Sequence, residues 1–220
     1  MPNRNQTTPV RSGKSENTRQ DILSYAVIIF LAIVATLIWQ SYERNRIYED
    51  PITLWEDNVG KSPKKARVYN NLGKAYYHKG RFVDAMAAFQ KTLELKPDHF
   101  DARFSLGMTY VRLGQFDDAV RAFQETISGK PKYTDALLNL GSVYYLQKKL
   151  PEAIQTFRDA LQIQPENITA RMNLAKAYSQ LGRTLEARTE LRTLLHYHPS
   201  HTEAADLLKS LEMGNQESNH

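Results

Sequence analysis

The sequence predicts an all-α protein, a solenoid of stacked helical hairpins preceded by one membrane-spanning helix. Three observations carry that prediction: an uncharged apolar run over residues 22–39, four gapless blocks of 34 residues with the same residue types at the same positions, and a proline that closes every block. In 220 residues, 24% charged and 41% hydrophobic, the composition is that of a soluble domain except where apolar residues bunch.

The apolar run is eighteen residues long, with Ser24 and Thr36 its only aliphatic hydroxyls. A helix rises about 1.5 Å per residue and the hydrocarbon layer is roughly 30 Å thick, so the run spans it with help from its flanks. Tyr25, Trp39 and Tyr42 suit the headgroup level, and Arg44 and Arg46 can reach the phosphates. A buried surface helix would carry a polar stripe, and this run has none. It exceeds the roughly 7 to 15 apolar residues of a cleaved signal peptide, and bulky Leu37, Ile38 and Trp39 occupy the place of a cleavage site. The expectation is a retained signal anchor over residues 21–42.

Orientation follows from basic residues near the span, which resist translocation. Residues 1–20 carry Arg4, Arg11, Lys14 and Arg19 against Glu16, and the other flank carries Arg44 and Arg46. The N-terminus is expected in the cytoplasm and the globular part on the exoplasmic side, the periplasm in a bacterium. Residues 1–20, polar and basic, read as a disordered tail near anionic headgroups. That tail supplies most of the net charge of +5, so no basic domain remains and nucleic acid is excluded as a partner. There is no cysteine, hence no disulfide or thiolate metal site.

The blocks begin at Ala66, Phe100, Thr134 and Ile168. Position 7 is Leu72, Leu106, Leu140 and Leu174; position 8 is Gly73, Gly107, Gly141 and Ala175; position 11 is Tyr76, Tyr110, Tyr144 and Tyr178. Position 20 is Ala85, Ala119, Ala153 and Ala187; position 24 is Phe89, Phe123, Phe157 and Leu191; position 32 is Pro97, Pro131, Pro165 and Pro199. Positions 7, 8 and 11 form one stripe of a first helix, and positions 20 and 24 one stripe of a second. The small residue at position 8 allows two antiparallel helices to approach closely. Gly80, Gly114 and Gly182 suit a left-handed turn between them, where Lys148 stands in the third block. Each proline ends the second helix, with Asp98 or Ser200 suited to cap the next.

These blocks resemble tetratricopeptide repeats, a family of paired-helix, right-handed α-solenoids with a concave protein-binding groove. The resemblance covers repeats at 66–99, 100–133, 134–167 and 168–201, with Lys148, Ala175 and Leu191 as departures. Solenoid ends need caps. Residues 202–212 continue the periodicity through Ala204, Leu207, Leu208 and Leu211 as a capping helix before a polar tail at 213–220. Upstream, residues 43–65 read as a linker and half-repeat helix, with Trp55 at position 24 and Pro63 at position 32. Residues 52–73 also resemble the junction between membrane segments and repeats in glycosyltransferase-like proteins with tetratricopeptide tails, whose repeats face the exoplasmic side. The multi-span catalytic part of those proteins is missing from this sequence, so the resemblance implies topology and no transferase activity.

By resemblance, positions 2, 5, 9, 12 and 13 of each first helix line the groove. The first repeat offers Arg67, Asn70, Lys74, Tyr77 and His78, and the second Asp101, Phe104, Met108, Val111 and Arg112. The third offers Asp135, Leu138, Ser142, Tyr145 and Leu146, and the fourth Thr169, Met172, Lys176, Ser179 and Gln180. An apolar centre with basic flanks implies a protein partner, a peptide or helix with apolar anchors and acidic flanks. The alternative is that these residues pack against their neighbours or are covered by the chain's own tail. Asn70 and Asp135 stand where a carboxylate-clamping subclass needs other residues, so clamping is not expected.

No catalytic constellation emerges, and no cofactor or metal is expected. Gly13-Lys14-Ser15 lacks the upstream glycine of a phosphate loop, and His196, His198 and His201 lack a completing carboxylate. Asn5 and Asn167 begin glycosylation sequons that matter only in a secretory pathway. The expected function is a membrane-anchored scaffold for an envelope or membrane complex. The alternative is a cytosol-facing receptor for soluble clients, and homo-oligomerisation through the repeat ends is a third reading.

Overall fold

The computed structural model describes the backbone of residues 13–217 and the side chains of residues 23–46 and 48–213. Among the described residues there are eleven helices and no strand. They are α1 (Gly13–Ile47), α2 (Pro51–Lys61), α3 (Ala66–His78), α4 (Phe82–Leu95), α5 (Phe100–Arg112), α6 (Phe116–Gly129), α7 (Thr134–Leu146), α8 (Leu150–Ile163), α9 (Ile168–Gln180), α10 (Thr184–Tyr197) and α11 (Thr202–Glu217). The chain divides into two compact units, residues 1–54 and 55–220.

The first unit is dominated by α1. The helix begins at Gly13 and ends at Ile47, so it outruns the span at 21–42 into both polar flanks. Once nucleated, a helix gains one hydrogen bond for each residue it adds, which is why polar flanks continue it. Residues 1–12 of the expected tail lie outside the described residues. Within α1, Leu23–Arg46 is long and apolar enough to cross a membrane. Its apolar side chains are exposed all round, Phe30 at 64%, Ile33 at 52% and Trp39 at 63%. Thr36 Oγ1 donates to the Ala32 and Ile33 carbonyls at 2.8 Å, so this hydroxyl is satisfied inside the helix.

The second unit is built of hairpins, α3 with α4, α5 with α6, α7 with α8 and α9 with α10, each also packed on the next. One contact dictates the close approach within a hairpin. A Cβ added at Gly73, Gly107 or Gly141 would lie 2.7, 2.7 or 2.6 Å from Cε1 of Phe89, Phe123 or Phe157. In the fourth hairpin the glycine becomes Ala175 and the ring becomes Leu191, so the two departures compensate each other. All four partners from the second helix are buried, at 0 to 1% exposure.

The turns share one geometry. Gly80, Gly114 and Gly182 have φ of 75°, 73° and 77°, and Lys148 has φ of 62°. The next amide, of Arg81, Gln115, Lys149 or Arg183, donates at 2.9 Å to the carbonyl of the position-11 tyrosine. This pattern satisfies two carbonyls at the end of the first helix. The caps of the following helices differ from the sequence reading. His99 Nδ1 and His201 Nδ1 accept from the Ala102 and Ala204 amides at 3.2 Å, and Asn167 Oδ1 accepts from Ala170 at 2.9 Å. The cap therefore falls one residue later than Asp98 and Ser200.

A ladder of polar rungs joins successive hairpins, linking position 25 of one block to position 11 of the next. Tyr76 donates to Glu56 at 2.6 Å, Gln90 donates to the Tyr110 hydroxyl at 3.3 Å, and Gln124 to that of Tyr144 at 2.9 Å. The Arg158 guanidinium lies 5.5 Å from the Tyr178 ring centre, and Arg192 donates to Glu212 at 2.8 Å. Glu56 on α2 and Glu212 on α11 thus stand in the register of the repeat. Burial, with help from the Glu56 carboxylate, pushes the Tyr76 phenol up to about 12.

Helix α11 buries Ala204 and lays Leu207, Leu208 and Leu211 against Leu191 and Leu194. It continues to Glu217, taking in part of the polar tail. Lys209 occupies position 8, where a hairpin needs Gly or Ala, so a further second helix has no close seat on this surface.

Candidate functional site

The first helices form one wall of the second unit. Contacts join α3 to α5, α5 to α7 and α7 to α9, while no comparable contact joins α4, α6, α8 and α10 to one another. The second helices therefore splay outward and the first helices form the inner wall. Charge is sorted in the same way. The four first helices carry six Lys and Arg against Asp101 and Asp135, and the four second helices carry five Lys and Arg against nine Asp and Glu.

Two cavities open on the inner wall. One, of about 300 Å³, lies between α3 and α5 and is lined by Lys74, Tyr77, His78, Phe89, Phe104, Ser105 and Met108. The other, of about 170 Å³, lies between α7 and α9 and is lined by Ser142, Tyr145, Leu146, Phe157, Asn173 and Lys176. Each floor is the position-24 phenylalanine that also seats on the glycine of its hairpin. Packing and cavity share one ring.

The structure brings together several sequence-predicted residues and separates others. Lys74, Tyr77, Phe104 and Met108 meet in the first cavity, and Tyr145, Leu146 and Lys176 in the second. Tyr77 sets its ring edge-on to Phe82 at 5.4 Å. Phe104, Met108, Val111 and Leu138 are half-buried. The Phe104 ring sits 5.7 Å from Phe123 and 5.0 Å from Tyr133, so part of its surface serves the core. Leu146 is 56% exposed. Asn70 and Met172 depart from the expected lining, being only 5% and 4% exposed. Met172 belongs to the cluster beneath α11, and Asn70 Oδ1 is buried without a hydrogen-bond partner among the described residues.

The cations differ along the wall. Arg67 and Lys74 are both exposed, and the Arg112 guanidinium lies 4.5 Å from the Phe82 ring centre. Among the described residues no carboxylate pairs with any of these three. Lys176 Nζ instead meets Glu203 Oε1 at 2.6 Å, and that hydrogen bond holds the Glu203 carboxyl below the usual carboxylate range. Sequence reasoning missed Glu203, which lies in the cap, and Ser105 at position 6, and it weighed Asn173 at that position only for carboxylate clamping. The polar asparagines recurring at position 6 were the available signal.

Three family models of the tetratricopeptide repeat match, over residues 66–99, 104–168 and 144–211. Together they cover well over half of the chain, and the protein belongs to the tetratricopeptide repeat family. Among solved structures it is similar to MamA, at 24% identity and a TM-score of 0.66 over 69% of this chain and 89% of that one. It is also similar to YrrB, described as a repeat protein with an unusual peptide-binding site, at 21% identity and a TM-score of 0.66 over 76% and 86%. The protein TTC0263 of Thermus thermophilus aligns at 21% identity and a TM-score of 0.58 over 79% and 94%. At these identities the likeness is one of fold. No curated protein matches the sequence.

Proposed function

We propose that this protein is a membrane-anchored scaffold whose inner wall binds a peptide or helix of another protein. The observation that carries the reading is the sorting of charge and cavities. The inner wall is net cationic, it holds two apolar-floored cavities, and Arg67, Lys74 and Arg112 meet no carboxylate among the described residues. Such a wall suits a segment with apolar anchors and acidic flanks. The peptide-binding site described for YrrB supports the same use of this fold. Binding, with no catalysis, is the role proposed.

Helix α1 is the proposed anchor, with residues 1–20 in the cytoplasm and the repeats exoplasmic, in keeping with the four basic residues of that tail. The repeats then organise a membrane or envelope complex. Lys209, exposed at the position where a hairpin takes Gly or Ala, weighs against head-to-tail oligomerisation through the C-terminal end. Protease protection in intact spheroplasts, following a tag after His220, tests the topology. Removal of the repeats by external protease is expected, and protection until lysis selects the cytosol-facing receptor. Crosslinked capture of envelope proteins tests the wall. Capture is expected to fail with Lys74→Glu and Leu146→Glu, both at exposed positions, and unchanged capture would sink the reading.

A further inference from the structure

The two cavities lie at different junctions of one wall, and their separation constrains what fills both. Packed helices lie about 8–10 Å apart. The α3/α5 and α7/α9 cavities are two such steps apart, which places their centres roughly 16–20 Å from each other. An extended chain advances about 3.3 Å per residue and turns alternate side chains to the same side. Two anchors facing one wall at that distance stand about six residues apart, since an odd spacing sends the second away from the wall.

The polar groups favour an extended ligand over a helical one. A helix satisfies its own backbone, whereas an extended segment must find donors and acceptors outside itself. Asn173 lines the second cavity, half-buried, and its carboxamide has no hydrogen-bond partner among the described residues. Such a carboxamide can donate to one backbone carbonyl and accept from one backbone amide at once. The two cavities also differ in charge. Lys74 and His78 border the first with no carboxylate in its lining, while Lys176 at the second is already joined to Glu203.

Resting on the groove reading above, we infer that the ligand is an extended, bipartite segment with two apolar anchors about six residues apart and an acidic residue beside the anchor in the first cavity. The acidic residue belongs at one end only. The cap has already supplied the counter-charge at the other.

The test uses the full chain in detergent micelles and fluorescein-labelled peptides with a Ser/Gly background, two Leu anchors and one Glu beside an anchor. Anchor separation is varied across the series, and binding is read by anisotropy, with circular dichroism confirming that each variant is folded. The tightest binding is expected near six residues, weakening roughly tenfold when the spacing changes by two in either direction, the equivalent of one lost anchor contact. Lys74→Glu is expected to weaken that peptide about tenfold and Asn173→Ala several-fold, with Lys91→Ala, on the outer helix α4 and outside both cavities, leaving it within about twofold. An optimum near eleven residues would mean a helical ligand and overturn the inference. Binding that ignores spacing yet is abolished by Leu146→Glu would overturn the bipartite arrangement and leave the groove reading standing. Peptides that bind equally well to wild type, Lys74→Glu and Leu146→Glu, or to none of them, would remove both.

Discussion

Helix α1 and the hairpins draw on the same apolar residue types and use them in opposite ways. In α1 the large side chains point outward on every side, and Phe30 keeps 64% of its surface. In the hairpins a ring at one position is buried to within 1% and set against a single backbone position. A helix apolar all round seeks an apolar solvent, while a helix with one apolar stripe seeks a partner. The difference teaches that apolar content alone says little, and that its angular distribution decides which environment a helix demands.

The comparison breaks most visibly by cutting the chain. Deleting residues 1–47 should move the protein from the membrane fraction to the soluble one while the repeats keep their helical circular dichroism. A truncated protein that still sediments with membranes would mean that the repeats bind membrane on their own. Next in size is ring removal. Phe123→Ala should cost about 3–5 kcal/mol of unfolding stability, seen as a lowered denaturant midpoint, and Phe30→Ala should leave the repeat midpoint unmoved.

A smaller effect comes from adding a methyl. Gly107→Ala drives its Cβ against the Phe123 ring and should cost about 1–3 kcal/mol, whereas Gly60→Ala meets no atom within 4 Å and should be neutral or mildly stabilising. Replacing Lys148 by Gly relieves a left-handed residue and should raise stability by about 1 kcal/mol, sharpening the point that hairpin positions are conformationally specified.

The smallest expected effect is alkaline. The folded Tyr76 phenol titrates near 12 against an ordinary 10, so folding favours its protonated form. That contribution is complete below about pH 10 and is lost as pH rises from 10 toward 12. Stability should fall over that window, and Glu56→Gln should reduce the fall. An ultraviolet phenolate titration beside a denaturation series checks both.

The fold class was legible because six positions recur in four blocks, and each recurrence has a steric cause. The compensations were harder to read. Ala175 and Leu191 look like isolated departures until the close contacts of Gly73, Gly107 and Gly141 with their phenylalanine rings show what the pair replaces. The caps were misplaced by one residue because an imidazole nitrogen can accept an amide as a hydroxyl does, so His99 and His201 gave no familiar signal. On the wall, the family resemblance could place Asn70 and Met172 on the inner side of their helices but not foresee the neighbours that bury them. The pairing of Lys176 with Glu203 crosses from the last repeat to the cap, 27 residues apart. No local pattern announces such a meeting.

The ladder from position 25 to position 11 makes every junction between hairpins interchangeable in register, from Glu56 at one end to Glu212 at the other. A duplicated 34-residue block inserted before Thr202 would therefore find the same handhold on both sides and leave each terminal closure in place. The wall would lengthen by one helix width, about 8–10 Å. The molecule is in this sense a ruler whose graduations are set by phenols, carboxamides, carboxylates and guanidiniums, and whose reach can be altered by whole steps without redesigning either end.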